Sequence, residues 1–354
     1  MRIAIEAAPL ALSSGGLARY TAELSLALAR CFPEDEYFLV SDQPFHVPTD
    51  APVNLKRGGG PRNAMERRWW LWGLPHELRR LHAEVIHGPD FAVPYIPRLP
   101  SVLTLHDLSP WMNKAWHHAA GRVKSRTPLL LEFGVATMVI TPGDVVRRQA
   151  IERFRLHPDR VVAVPEAAAA WFRPQPRPAA DGIETPYVLY VGALEPRKNL
   201  PMVVEAWREV RRQHKVDLML VGRRRPDAPA LANEPGIRLA GEVPDAALPK
   251  LYSGALAFVY VSQYEGFGLP VIEAMQCGAC VIASQAVAEA AGDAALYADN
   301  ADELAQAMNA VVERPELAAE YRARAVARAT EFSWERTARL TREVYLEARR
   351  RFGN

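Results

Sequence analysis

The sequence predicts an α/β protein built as two doubly wound, parallel-sheet domains, and three observations carry that expectation. The chain has 354 residues, more than one hydrophobic core ordinarily serves. Short apolar runs alternate with stretches of helical periodicity through both halves. Between the halves lies a break from Trp171 to Tyr187, holding Pro174, Pro176, Pro178, Pro186 and Gly182 with little apolar content, the composition of a linker.

Each element follows in order. Arg2 to Ala7 reads as a buried strand, followed by the loop Ser13-Ser14-Gly15-Gly16. Leu17, Tyr20, Thr21, Leu24 and Leu28 then recur at helical spacing. Apolar runs at Tyr37–Val40, Val85–His87, Ser101–Leu105 and Met138–Thr141 predict further strands. Past the linker the alternation restarts. It predicts strand Tyr187–Val191, helix Pro201–Gln213, strands Leu218–Val221 and Ile237–Ala240, helix Ala246–Ser253 and strand Ala257–Val261. A short helix over Val271–Gln276, stopped by Gly278, leads to strand Val281–Ser284. Two long helices close the chain, Pro315–Glu331 and Ser333–Arg351, the second opened by Ser333 as a cap. The expected domains are residues 1–172 and 173–335, with 336–354 a C-terminal helix packing back on the first. In open parallel sheets ligands bind outside the carboxyl ends of the strands, so two facing sheets would form a cleft.

Bulk properties exclude several classes. With 49% apolar and 24% charged residues the chain is neither disordered nor fibrous. A formal net charge of +2 gives no reason to propose nucleic acid as a partner. Three cysteines, Cys31, Cys277 and Cys280, make no disulfide framework. The lone Cys277-x-x-Cys280 lacks a second pair or a nearby histidine, so two buried small side chains is the preferred reading over zinc. No signal segment opens the sequence, and no run approaches the roughly 20 apolar residues of a membrane span. The expected location is the cytoplasm, with peripheral contact at the inner face of a membrane. The mixture Arg67-Arg68-Trp69-Trp70-Leu71-Trp72 through Arg79-Arg80 could form an interfacial helix. Tryptophan packed inward with arginine outside is the favoured alternative.

The motifs fall after predicted strands. Gly15-Gly16 opens a helix where backbone N–H groups and positive potential suit a phosphate; a tight turn without a ligand explains them equally. The full G-x-G-x-x-G fingerprint of a dinucleotide site is absent. In Glu195-Pro196-Arg197-Lys198-Asn199, Asn199 is the expected helix cap with Pro201 just inside. Adjacent cations at a positive helix start repel, and an anion between them resolves the conflict, as a diphosphate would. Glu265 and Glu273 bracket Gly266-Phe267-Gly268-Leu269-Pro270. One glutamate sits in a loop and the other in the first turns of a helix, placed to point into one pocket and accept hydroxyl hydrogen bonds.

The run E-G-F-G-L-P-V-I-E resembles the donor signature of retaining glycosyltransferase family four, enzymes of the GT-B fold with two Rossmann-like domains. The likeness covers nearly the whole chain. It takes in Gly15-Gly16, Thr104-Leu105-His106-Asp107-Leu108, Tyr190-Val191-Gly192 with Glu195 to Asn199, Ala274 to Gly278 and Ala291 to Leu296, in order. Relatives carry a longer loop with a proline where this chain has Ser284 to Glu289. They carry polar or glycine residues where it has Ala167 to Ala170 after Glu166.

This resemblance implies metal-independent transfer of a hexose, with retention, from a nucleotide-diphosphate sugar to a glycan or lipid-linked acceptor. The best match is to mannosyltransferases of bacterial surface polysaccharide assembly, hence GDP-mannose as donor. Gly16 would give an amide to the diphosphate, and Arg197 and Lys198 would neutralise it in place of a metal. Glu265, with backbone N–H groups of Phe267, Gly268 and Leu269, would hold the sugar, and Glu273 the ribose. His106 would sit near the anomeric carbon, with Asp107 beside it. No D-x-D triplet occurs, and neither a metal nor a cofactor is expected. A nucleotide-sugar epimerase, a sugar phosphorylase and a non-catalytic sugar-nucleotide-binding protein stay open as alternatives. A phosphorylase would need a lysine for pyridoxal phosphate, and no motif for one is found.

Overall fold

Parallel strands buried on both faces should read as continuous apolar runs, and the inner strands of each sheet largely do. The computed structural model describes all residues except 13–14, 114–115, 117–120, 177–184, 230–233 and 354. Ser13 and Ser14 of the first predicted loop lie outside the described residues, as do Pro178 and Gly182 of the predicted linker. The chain divides into two compact units, one of Met1–Glu166 with Ser333–Asn354, the other of Ala167–Phe332.

Among the described residues of the first unit, seven strands pair in parallel. They are β1 (Arg2–Glu6), β2 (Glu36–Val40), β3 (Leu55–Arg57), β4 (Val85–Gly88), β5 (Ser101–Thr104), β6 (Met138–Thr141) and β7 (Val161–Ala163). Their spatial order is β3-β2-β1-β4-β5-β6-β7. The second unit holds β8 (Tyr187–Val191), β9 (Asp217–Val221), β10 (Ile237–Gly241), β11 (Ala257–Tyr260), β12 (Val281–Ala283) and β13 (Ala295–Tyr297), ordered β10-β9-β8-β11-β12-β13. Both sheets reverse direction of growth at one point, between β1 and β4 and between β8 and β11. Loops leaving neighbouring strands there diverge to opposite faces, which opens the crevice where doubly wound folds bind ligands.

Every strand named from sequence exists within a residue or two of its predicted bounds. Three-residue β3, β7 and β13 were not predicted, nor was the helix Ala301–Glu313, whose Asn300 side chain accepts the Glu303 N–H at 2.9 Å. Ser333 caps Trp334–Arg351 as expected, its Oγ accepting from the Arg336 N–H at 3.1 Å. That helix belongs to the first unit, where the hydroxyl of Tyr345 lies 2.7 Å from His87 Nδ1. His87 Nε2 lies 2.7 Å from Thr104 Oγ1, which in turn meets the Tyr20 hydroxyl at 3.1 Å. His87 is wholly buried, and burial pushes its pKa down to about 3, so the ring is neutral.

In the tryptophan–arginine stretch, Trp69 packs inward. It is buried among Ala4, Phe38, Val40, Leu74, Leu78 and Ile86, and Trp70 packs against the same group with Arg126 over its ring. Arg67, Arg68 and Arg79 point outward. Cys277 and Cys280 are buried with free thiols, which burial pushes up to about 12 and about 11. Among the described residues no helix is long and apolar enough to cross a membrane.

Candidate active site

The second unit gathers charge at its switch point. The loop after β8 carries a single turn, Pro196–Lys198, and the loop after β11 carries Glu265. Because β8 and β11 are neighbours, residues separated by 67 positions meet: Lys198 Nζ donates to Glu265 Oε1 at 2.5 Å. The same ammonium donates to the Tyr260 hydroxyl at 2.6 Å and lies 4.7 Å from the centre of that ring. Arg197 Nη1 is 3.2 Å from Glu265 Oε2 and donates to the Tyr264 carbonyl at 2.7 Å.

Glu195, also buried, takes the other edge of Arg197 at 2.9 Å and pairs with Arg225, which reaches Asp227 at 2.8 Å. The result is an alternating chain, Lys198–Glu265–Arg197–Glu195–Arg225–Asp227, in which each charge neighbours its opposite. Burial alone would raise the Glu265 carboxyl, but the two cations beside it hold it down to about 2. The Glu265 carboxylate thus neighbours both Arg197 and Lys198.

One local expectation is corrected. Asn199 does not cap the following helix with its side chain. It sits at φ 55° in the left-handed region, turning the chain from Lys198 into Leu200–Gln213, and its Nδ2 lies 3.0 Å from Met202 Sδ. The tight reversal needed to put both cations on one side leaves no geometry for an ordinary cap. Glu273, on the helix Leu269–Gln276, is buried and accepts from the Tyr252 hydroxyl at 3.2 Å, while Glu265 faces the cations. Neither is a surface acid.

Between them, Gly268 caps that helix at φ 106°, where a Cβ would lie 2.9 Å from Val287 Cγ1, so conformation and space both require glycine. Gly266 lies in the loop, Phe267 is buried against Phe332, and Leu269 begins the helix.

In the first unit, exposed Gly15 at φ 115° precedes the helix Gly16–Cys31, with open space where a Cβ would project. His106 follows β5. Its Nδ1 lies 3.0 Å from Glu166 Oε1 and its Nε2 2.7 Å from the Pro89 carbonyl, with Tyr20 edge-on at 4.7 Å. Although burial works against protonation, Glu166, Pro89 and Asp90 outweigh it and raise the histidine pKa. Asp107 Oδ1 instead accepts from the N–H and hydroxyl of Ser109 at 2.8 and 2.6 Å, holding the turn into Ser109–Met112.

Sequence reasoning missed Tyr260, Arg225, the pairing of Glu195 with Arg197 and that of Glu166 with His106. Arg223-Arg224-Arg225 directly after β9 was a readable signal, since it lies at a strand's carboxyl end like the other motifs. Tyr260 looks like any buried strand tyrosine, and nothing local marks it.

Comparison with known proteins agrees with the fold of two parallel-sheet units. Residues 185–314 match the model for glycosyl transferases group 1, and residues 14–168 that for glycosyltransferase family 4. O-antigen chain mannosyltransferase B of Escherichia coli is 31% identical, across 98% of this chain and 99% of its own. Among solved structures, a sucrose-phosphate synthase from Thermosynechococcus elongatus superposes with a TM-score of 0.72 at 20% identity, covering 98% of each chain. WaaG, a glycosyltransferase involved in lipopolysaccharide biosynthesis, does so at 0.69 and 15% over the full length of both. With two parallel-sheet units of the GT-B type and full-length similarity to a curated mannosyltransferase, the chain belongs to glycosyltransferase family four.

Proposed function

We propose that this glycosyltransferase moves a hexose, with retention of anomeric configuration and without a metal or other cofactor, from a nucleotide-diphosphate sugar to a hydroxyl of a glycan or lipid-linked saccharide. The buried Lys198–Glu265–Arg197 cluster carries this reading. It holds two cations fixed beside a carboxylate at a sheet switch point. As the glycosidic bond breaks, negative charge builds on the leaving diphosphate, and preorganised cations stabilise it without reorientation. Glu265 then accepts hydrogen bonds from hydroxyls of the transferred sugar, aided by backbone N–H groups of Phe267, Gly268 and Leu269, and Glu273 serves the ribose. In the first unit, Gly16 offers its N–H to the diphosphate, and His106, with Asp107, serves the reacting sugar. The leaving phosphate helps take the acceptor proton.

GDP-mannose is the proposed donor, because the mannosyltransferase relative matches from end to end. Turnover of GDP-, UDP-, dTDP- and ADP-sugars in chelator, with the product anomer read by NMR, tests the whole reading. GDP-mannose should be used and its α-configuration kept. An inverted product, or a requirement for added divalent metal, overturns it. Lys198→Ala should lower kcat by about 100-fold or more, the scale of losing one fixed stabilising donor; a variant with unchanged turnover would remove the cluster from catalysis. Donor binding without any transfer would instead favour a non-catalytic binding protein.

We place the enzyme in the cytoplasm, peripheral at the inner face of the membrane, through outward Arg67, Arg68 and Arg79 and not through the tryptophans. Cosedimentation with anionic vesicles should be weak and abolished by salt; binding that persists in high salt, or none at low salt, refutes that contact.

A further inference from the structure

Glu166 is the last residue of the first unit before the chain passes into the second, and it is almost wholly buried. Its Oε1 stands 3.0 Å from His106 Nδ1, while His106 Nε2 stands 2.7 Å from the Pro89 carbonyl oxygen. A carbonyl oxygen can only accept. An ionised carboxylate can only accept. A neutral imidazole has one N–H and can serve one of them; the imidazolium has two and serves both.

We infer that Glu166 is a positioning residue that keeps His106 doubly protonated and pins its ring, so that the histidine is a fixed cation and not a general base. This deepens the proposed transferase reading and rests on it for the placement of His106 in the reaction. The charges facing the ring agree. Glu166 arrives after β7 and Asp90 after β4, and both favour the proton. Arg126 acts on Asp90, as does Asp107, the residue next to His106. His87 on β4 is neutral and adds no competing cation. Tyr20, from the helix Gly16–Cys31, presents the edge-on ring and donates no charge. With both ring protons already given to Glu166 and Pro89, His106 has no lone pair with which to take the acceptor hydroxyl proton. That leaves the departing phosphate for the task, as in the proposed reaction.

The test follows His106 itself, apart from activity. Its ring resonances in histidine-labelled enzyme, assigned through His106→Gln, are titrated from about pH 5 to about pH 9 in wild type, Glu166→Gln and Glu166→Asp. Wild type should show both nitrogens protonated at neutral pH. Glu166→Gln should lower the midpoint by about one pH unit or more, and Glu166→Asp should restore part of it. The alkaline limb of kcat should move with the midpoint, while donor KM stays within about twofold.

A neutral His106 in wild type at pH 7 overturns the proposal, and needs no folded Glu166 variant. So does an unchanged midpoint in a folded Glu166→Gln. If the midpoint shifts but transfer ignores substitutions at both Glu166 and His106, the pairing stands and the place of His106 in the reaction falls.

Discussion

Glu6, at the end of β1, shows how much one buried carboxyl can set. Burial raises its pKa to about 8, with Asp90 and Asp42 adding to the effect and the Ala8 N–H opposing it. A folded pKa above the unfolded one means that the contribution is fully present below about pH 4.5 and is lost as pH rises through 8. Glu6→Gln keeps the acceptor for Ala8 and removes the charge. Its melting temperature should match wild type in acid and exceed it increasingly from about pH 5 to about pH 8; a parallel pair of curves would refute the shift. Glu265 has the opposite sign. Its pKa, held down to about 2, gives stability present above about pH 4.5 and lost as pH falls toward 2. Glu265→Gln leaves Lys198 and Arg197 buried beside a neutral group, and should cost about 3–5 kcal/mol in chemical unfolding at neutral pH. Arg197 and Lys198 were visible in the sequence as an anion site. Their pairing with Glu265 was not, because Lys198 and Glu265 lie 67 positions apart and only the adjacency of β8 and β11 joins them.

The elements that sequence reading found are those with long apolar runs or strong periodicity. Those it missed are short. Strand β3, Leu55-Lys56-Arg57, sits at a sheet edge with two exposed cations, so no alternation or apolar run announces it. The helix Ala301–Glu313 did carry a signal, with Leu304, Met308 and Val311 on its buried side behind the Asn300 cap. The helix Trp334–Arg351 is tied to β4 and β5 by the Tyr345–His87–Thr104–Tyr20 network. Tyr345→Phe removes one partner and leaves His87 Nδ1 buried without it. The expected loss is about 1–3 kcal/mol, measurable by urea unfolding. A change under a few tenths of a kcal/mol would show that the network is not coupled to stability.

At the scale of the molecule, the chain leaves the first unit at Glu166 and returns to it at Ser333, so the first unit is completed only by the chain's last residues. Ala338, Val344, Tyr345 and Ala348 of the returning helix are buried within it. Truncation after Phe332 should strip amide-exchange protection from β1, β4, β5 and the helix Gly16–Cys31, and leave β8 to β13 protected. Uniform loss across both units would mean that they fold as one cooperative body.

By itself the sequence determined the parallel strands, the donor-type motifs at their carboxyl ends and, through those motifs, the glycosyltransferase family. All of these rest on local periodicity and on short contiguous runs, which chain order preserves. Only the tertiary structure decided which charges meet. It closed Lys198 and Arg197 onto Glu265, turned Glu273 toward Tyr252, drew Trp69 into the core and gave His106 the carboxylate of Glu166. A side chain's ionic partner depends on which strands lie side by side, and neighbouring strands in these sheets are often far apart in the chain.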